Sequence, residues 1–254
     1  MNDAVRMIWQ LSLAIILAYG GAAVYADTTQ HNMTARDILA EADKARGNLA
    51  GAQWTLQLHA KDAKGDQEMT LKVLARGFDV MAEILAPPRS KGDRLVIFKE
   101  NMWYDKPSVS KPVPISKRQK LLGQAAYGDI ATTDYAGDYD PTLIEEEKVN
   151  GRLCWVYNLE ARSKGTTYDR IKYWIDKKEL IGIKAEYYTV SGKLFKSALM
   201  EYDHSIERGG EKRPFISRIT ISGGVVSSER TTLTFSSPSL EVIPDHTFNL
   251  RFTR

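Results

Sequence analysis

The sequence is poor in the residues that build disulfides and metal sites. Cys154 is the only cysteine among 254 residues, which excludes an intrachain disulfide and a C-x-x-C motif. The four histidines show no H-E-x-x-H spacing, so a zinc hydrolase motif is absent too; they are His31, His59, His204 and His246. We therefore predict no metal site and no cofactor. We expect Cys154 to be a small buried side chain and not a nucleophile.

Assembled catalytic motifs are also missing. The chain contains neither G-x-S-x-G nor G-x-x-x-x-G-K-[ST], and no G-x-G-x-x-G follows a predicted strand. Acidic pairs such as Asp62/Asp66 and Asp138/Asp140 are interpreted as solvated turns, although only geometry decides whether two carboxylates act together. The sequence therefore predicts a protein that is not an enzyme.

Charge is nearly balanced, with 35 lysines and arginines against 32 acidic residues spread along the chain. Nucleic-acid binding requires a clustered basic face, so we do not predict it. The 43% hydrophobic content excludes a disordered chain, and the length suits one domain with a substantial core.

The N-terminal segment has the pattern of a secretory signal peptide. Arg6 precedes an apolar run from Met7 to Ala18, and small residues lead to Ala26. A membrane anchor is the alternative, but spanning a bilayer takes about 20 apolar residues. We predict a signal peptide over residues 1–26, cleavage after Ala26, and one mature periplasmic domain over residues 27–254.

A helix is predicted from Thr34 to Gly47. Thr34 and Asp37 have capping-box spacing, the apolar positions Ile38, Leu39 and Ala42 recur at helical spacing, and Gly47 suits the end of a helix.

The period then changes to two, which is typical of strands. About eleven strands in hairpin succession predict an antiparallel sheet, curled into an open, strongly curved barrel. Besides the hairpin around Trp54–Leu58 and Met69–Val73, they are predicted over 78–86, 94–99, 102–105, 152–160, 168–175, 181–189, 194–203, 214–222 and 228–235.

Strand alternation supplies the candidate binding residues. The side chains expected on one apolar face are Trp54, Leu56, Leu58, Met69, Leu71, Val73, Val80 and Ile84. Strands near 78–86, 94–99 and 152–160 are apolar on both faces. Such strands indicate a covered outer face, a ligand-sized interior, or ordinary core beneath the helices.

A long excursion from Ser116 to Tyr139 interrupts the strands, and it is named the lid below. We predict a short helix at Ser116–Leu122 and expect Leu121, Leu122 and Ile130 to close onto the apolar face. Gly123 and Gly128 are candidate hinges. The alternative is a static cap, in which both glycines merely serve turns.

Several segments together resemble the LolA-like periplasmic lipoprotein carriers, and in particular the outer membrane lipoprotein-sorting proteins. They are Leu121 to Ala131 (L-L-G-Q-A-A-Y-G-D-I-A), Asp138-Tyr139, Pro87-Pro88-x-x-x-Gly92, Met102-Trp103-Tyr104 and Ile243-Pro244-Asp245-x-x-Phe248. The resemblance covers essentially all of the mature chain.

The resemblance implies an open, curved antiparallel sheet with helices over an apolar cavity for acyl chains. It implies a carrier of lipoprotein acyl chains or another lipid toward the outer membrane. Implied partners are a permease of the resistance-nodulation-division (RND) class in the inner membrane and an outer-membrane acceptor. The alternative is a periplasmic sensor or adaptor that binds a protein partner with the same fold.

Overall fold

The computed structural model describes residues 33–62, 65–99, 101–130, 134–224 and 229–251. The predicted signal peptide, its cleavage point and His31 lie outside the described residues, as does Ala131, the last residue of the lid motif.

In the described part of the chain, helix α1 (Ala35–Ala45) precedes the strands, and its prediction is confirmed. The Thr34 hydroxyl accepts a hydrogen bond from the Asp37 amide at 3.2 Å, and the Asp37 carboxylate accepts one from the Thr34 amide at 2.9 Å. Gly47 follows the helix with φ +103°, a conformation that favours glycine. This capping box sets the start of the helix where the sequence places it.

The remaining described residues are mainly β, and the strand pairs are antiparallel. They form seventeen strands where about eleven were predicted: β1 (Ala52–Asp62), β2 (Gly65–Arg76), β3 (Asp79–Ala86), β4 (Arg94–Phe98), β5 (Asn101–Asp105), β6 (Val113–Ile115), β7 (Lys120–Leu122), β8 (Ala125–Ala126), β9 (Tyr139–Val149), β10 (Arg152–Ala161), β11 (Arg170–Asp176), β12 (Gly182–Tyr188), β13 (Leu194–Glu201), β14 (His204–Arg208), β15 (Glu211–Phe215), β16 (Arg218–Gly223) and β17 (Arg230–Leu240).

Thirteen of these strands form one large sheet. Its order is β6-β5-β4-β3-β2-β1-β17-β16-β13-β12-β11-β10-β9, while β7-β8 and β14-β15 are separate hairpins. The terminal strands β6 and β9 do not pair with each other, so the described sheet is not a closed barrel.

The edge strand β9 was not predicted, because its run of three glutamates lacks the apolar–polar alternation on which the strand predictions rest. Glu145, Glu146 and Glu147 lie on β9 opposite Val156, Trp155 and Cys154 of β10. Charged side chains are common on edge strands, where they discourage pairing with other chains.

The predicted helix at Ser116–Leu122 is wrong. The Gln119 amide donates to the Ser116 carbonyl at 3.0 Å, which closes a single turn, and β7 then pairs with β8. Gly123 adopts φ +54° between these two strands. Helical structure in the described lid is limited to a 3-10 turn at Tyr127–Asp129 and α2 (Tyr135–Asp138).

The structure also explains the strands that are apolar on both faces. Met81 and Val96 pack on the outer side of β3 and β4 against Ile243 and Phe248 of the C-terminal segment. The Arg76 guanidinium lies over the Phe248 ring, 4.9 Å from its centroid. Strands β3 and β4 are therefore apolar on both faces because the C-terminal segment covers their outer face. On β10, Cys154 is buried as predicted, in a second small cluster with Val156 and Trp174.

Among the described residues, no helix is both long enough and apolar enough to cross a membrane.

Candidate functional site

The predicted apolar face exists as a continuous surface across β1, β2 and β3. Trp54 faces Val73, Leu56 faces Leu71, and Leu58 faces Met69 across the β1–β2 ladder. Leu71 in turn faces Ile84 of β3. Directly opposed residues of antiparallel strands share one side of the sheet, so these positions meet.

The lid contributes the rest of this surface. Leu122 and Ile130 are buried in the same cluster as the strand residues, and Leu121 and Met69 are half-buried against it. The other seven candidates are buried in the same cluster: Trp54, Leu56, Leu58, Leu71, Val73, Val80 and Ile84. The structure therefore brings all eleven candidates together.

The face is packed shut in this conformation. Leu56, Leu71 and Val73 have no exposed surface. Three cavities of about 340, 510 and 320 Å³ lie elsewhere, against the lid and β13, beside the C-terminal segment, and beside β5 and β6. None of the three is lined by one of the eleven candidates. A ligand can reach Leu56, Leu71 and Val73 only if part of their cover moves.

A buried ion pair fastens the lid to the sheet. The Lys196 ammonium of β13 lies 2.8 Å from the Asp129 carboxylate of the lid. Asp129 also accepts hydrogen bonds from the Tyr168 hydroxyl at 2.5 Å and the Ala126 amide at 2.8 Å. Burial, followed by the Asp129 charge, raises the pKa of Tyr168 well above its usual value, so this tyrosine stays a donor.

Further contacts hold the lid on either side of Asp129. Arg118 donates to the Thr166 carbonyl at 2.7 Å and pairs with Asp169 at 2.8 Å. The Gln124 amide donates to the Thr231 hydroxyl of β17 at 2.7 Å. The lid is thus joined to the rest of the domain by polar contacts, several of them buried, and by apolar contacts.

The two candidate hinge glycines both lie in close contact with neighbouring residues. A Cβ at Gly123 would collide with Thr231 and Ala60, and a Cβ at Gly128 would collide with Thr167. Close packing accounts for both glycines in this conformation. Their role as hinges stays a prediction.

Sequence analysis missed a buried polar cluster at the end of α1. Arg46 is 6% exposed, and its guanidinium lies over the Tyr135 ring of α2, 5.1 Å from the centroid. The rings of Tyr135 and Tyr173 meet edge to face at 5.2 Å, and the hydroxyls of Tyr135 and Tyr187 are 3.5 Å apart. A helical signal was available, because Leu39, Ala42, Asp43 and Arg46 follow i, i+3, i+4, i+7 spacing, which predicts one shared face.

No group of three or more His, Cys, Asp or Glu residues in the described part of the chain could hold a metal ion.

The chain is similar to a protein-family model and to several solved structures. A family model described as "Uncharacterized protein" matches residues 79–253. A search of curated proteins gave no match. Among solved structures, a LolA superfamily protein from Nitrosomonas europaea is 30% identical, with a TM-score of 0.76 over 85% of this chain and 98% of that one.

Two further structures are similar in fold alone. One is a putative outer membrane lipoprotein-sorting protein domain from Vibrio parahaemolyticus, 19% identical with a TM-score of 0.70. The other is a DUF1329 family protein from Desulfovibrio piger, 18% identical with a TM-score of 0.70. Each alignment covers 84% of this chain and 95% of the other.

Proposed function

Because this chain belongs to the LolA superfamily, we propose that it is a periplasmic carrier that shields acyl chains of lipoproteins or of another lipid in its apolar interior. Transfer toward the outer membrane is the purpose of the carriage. An acyl chain in water costs about 0.8 kcal/mol for each exposed CH₂, so a carrier needs an apolar surface and a movable cover. It needs no covalent chemistry.

One observation carries the proposal: the apolar face of β1–β3 and the apolar side of the lid meet in a single cluster. If the lid separated from the sheet, two apolar surfaces would be exposed together. An acyl chain inserted between them would replace lid–sheet contacts with chain contacts. The conformation with the packed face is then the empty state of the carrier. We also propose that the sheet is strongly curved into an open barrel around this interior.

Lid movement can be measured by hydrogen exchange on empty and lipid-loaded protein. We expect residues 116–130 to be among the fastest-exchanging ordered segments when empty and to gain protection on loading, because lids belong to the less stable parts of a fold. Equal, slow exchange in both states would identify a static cap.

Cargo is tested on the mature protein purified without added lipid. Native mass spectrometry and lipid extraction should find co-purified lipid at one or a few molecules per chain. A preparation delipidated by unfolding and refolding is the control and should regain lipid from vesicles. Protein that neither carries nor regains lipid would contradict the proposal.

The proposed partners are an RND-type inner-membrane permease as donor and an outer-membrane acceptor. Both come from the family resemblance. Transfer of a labelled lipid from donor vesicles to acceptor membranes distinguishes a carrier from a protein that only senses lipid.

A sensor or adaptor is the second candidate function, and the edge strand β9 favours it. Leu143 and Ile144 on β9 are each 51% exposed, and one side of this strand has no neighbour in the described sheet. An exposed strand edge can pair with a strand of another protein. A protein that binds lipid but does not transfer it would support this second function.

A further inference from the structure

The guanidinium of Arg46 is buried with a hydrogen-bond donor unused. Its Nη1 atom has no hydrogen-bond partner among the described residues, and the side chain is 6% exposed. Arginine carries its positive charge at every physiological pH and only donates hydrogen bonds. Buried polar groups are nearly always paired, so an unpaired guanidinium nitrogen requires an explanation.

Other unpaired donors accompany it. The hydroxyls of Tyr173 and Tyr202 are buried without a hydrogen-bond partner in the described part of the chain, as is the indole nitrogen of Trp54. Trp54 packs directly against Gly47, the residue after Arg46, and T-stacks on Phe215 with ring centroids 5.7 Å apart. Four atoms that can donate are therefore left without an acceptor in one core.

The tyrosines do not neutralise the arginine. Burial raises the pKa of Tyr173 and Tyr187 well above its usual value, which keeps both rings uncharged. The Asp43 carboxylate, one turn before Arg46 on α1, accepts a hydrogen bond from the Ala136 amide of α2 at 3.0 Å. No described residue accepts a hydrogen bond from Arg46 Nη1, so this donor is available to an added acceptor.

The tyrosines around Arg46 and the apolar face are parts of one core. Tyr135, Tyr173 and Tyr187 belong to the same continuous core as Leu56 and Leu71. A molecule with an anionic end and an apolar chain would match both parts. The planar guanidinium fork suits carboxylate and phosphate oxygens, which it can bind through two parallel hydrogen bonds.

We propose that Arg46, with the hydroxyls of Tyr173 and Tyr202, binds the oxyanion headgroup of a single-chain acidic lipid whose tail lies along the apolar face. This inference rests on the proposed function and narrows its cargo from lipids in general to lipids with a carboxylate or phosphate end. Arg46 then binds the charged headgroup, and the two tyrosine hydroxyls donate hydrogen bonds that favour a headgroup with acceptor oxygens.

The test uses three ligands with the same twelve-carbon chain: dodecanoate, dodecyl phosphate and dodecanol. Each is titrated calorimetrically into the delipidated mature protein. We expect at least one of the two anions to bind tenfold or more tightly than dodecanol. Preference for one anion distinguishes a carboxylate from a phosphate headgroup, and inorganic phosphate alone should not bind measurably, because it lacks the tail.

Three variants locate the preference. Arg46→Met keeps most of the side-chain volume and should weaken binding of the anions more than binding of dodecanol, so that the anion preference is lost. Tyr173→Phe removes one hydroxyl and should weaken the anion a few fold. The control is Arg218→Met, at an exposed arginine of β16 that pairs with Glu201, and it should behave as wild type.

The outcomes separate the two proposals. If the wild type binds dodecanol as tightly as the anions, or if Arg46→Met keeps the preference, the headgroup site is wrong while the carrier stands. If none of the three ligands binds and vesicle lipids do not either, both proposals are wrong. Should Arg46→Met fail to fold, as judged by circular dichroism, Tyr173→Phe and Tyr202→Phe decide: an unchanged preference in both would overturn the site.

Discussion

Lys196 of β13 and Asp129 of the lid form an ion pair of 2.8 Å in which the two side chains are only 3% and 8% exposed. The Lys196 ammonium also lies over the Tyr168 ring, 4.5 Å from the centroid, and donates to the Gln124 carbonyl at 3.2 Å. Two opposite charges with several hydrogen-bond partners can be buried together. Removing one of them leaves the other buried without a counter-charge, which costs about 3–5 kcal/mol of folding free energy. The position of the lid on the sheet therefore depends on this pair, which joins Asp129 of the lid to Lys196 of β13.

Removing one partner of this pair should destabilise the protein strongly. Asp129→Asn keeps one acceptor oxygen but leaves the Lys196 charge buried and uncompensated. We expect a loss of about 3–5 kcal/mol in the free energy of unfolding, measured by urea titration. The double variant Asp129→Asn/Lys196→Met should recover much of that loss.

An exposed pair is the control for this prediction. Arg218 and Glu201 are 2.9 Å apart with side chains 47% and 46% exposed, so Glu201→Gln should cost less than about 1 kcal/mol. Equal effects of Asp129→Asn and Glu201→Gln would show that burial of the Lys196–Asp129 pair has no energetic consequence.

Shortening the apolar face should affect both stability and binding. Leu56→Ala and Leu71→Ala each open a cavity at a position without exposed surface, and each should cost about 2–5 kcal/mol in the free energy of unfolding. At a temperature where the variants stay folded, dodecanol affinity should fall as well. Leu153→Ala, at a half-exposed leucine of β10, is the control and should change neither. Full dodecanol affinity in both core variants would remove these residues from the binding surface.

The role of Gly128 can be tested by combining a substitution at Gly128 with one at Thr167, which it contacts. Gly128→Ala should destabilise the lid because the added methyl group would collide with Thr167. Thr167→Ala removes the atoms that it would meet first, so the double variant should regain part of the loss in thermal stability. A hinge that needs only backbone freedom would show no such rescue.

Alkaline pH should lower the stability of the protein through Tyr188. Burial, followed by the hydrogen bond to Glu186 at 2.7 Å, raises the pKa of Tyr188 to about 12. A tyrosine of the unfolded chain ionises near pH 10, so the unfolded state holds fewer protons above that pH. The contribution to stability is complete below pH 10 and is lost as the pH rises towards 12. Urea titrations at pH 8, 10 and 11 should give decreasing free energies of unfolding, whereas constant values would contradict this.

Export can be tested by sequencing the mature protein. If Ala26 ends the signal peptide, protein recovered from the periplasm should begin at Asp27. Replacing Ala26 with a bulky residue should slow cleavage, because the pattern requires a small side chain there. Protein that begins at Met1, or that stays in the cytoplasm, would contradict the predicted localisation.

The sequence by itself determined the elements whose period is local. The start of α1 follows from Thr34 and Asp37, which lie within one turn of each other. The apolar faces of β1 and β2 follow from alternation, since successive side chains of a strand point to opposite sides. For the same reason alternation predicted that the eight strand candidates share one face.

Only the tertiary structure decided where elements meet that lie far apart in the chain. Asp129 and Lys196 are 67 residues apart, and nothing in their local sequences links them. The C-terminal segment covers β3 and β4 through Ile243 and Phe248, which resolved why those strands are apolar on both sides. The lid became a hairpin because pairing between β7 and β8 replaced the helix that its local sequence suggested. Arg46 lies among tyrosines of α2, β11, β12 and the turn after β13, because burial of one helix face depends on contacts that no local period encodes.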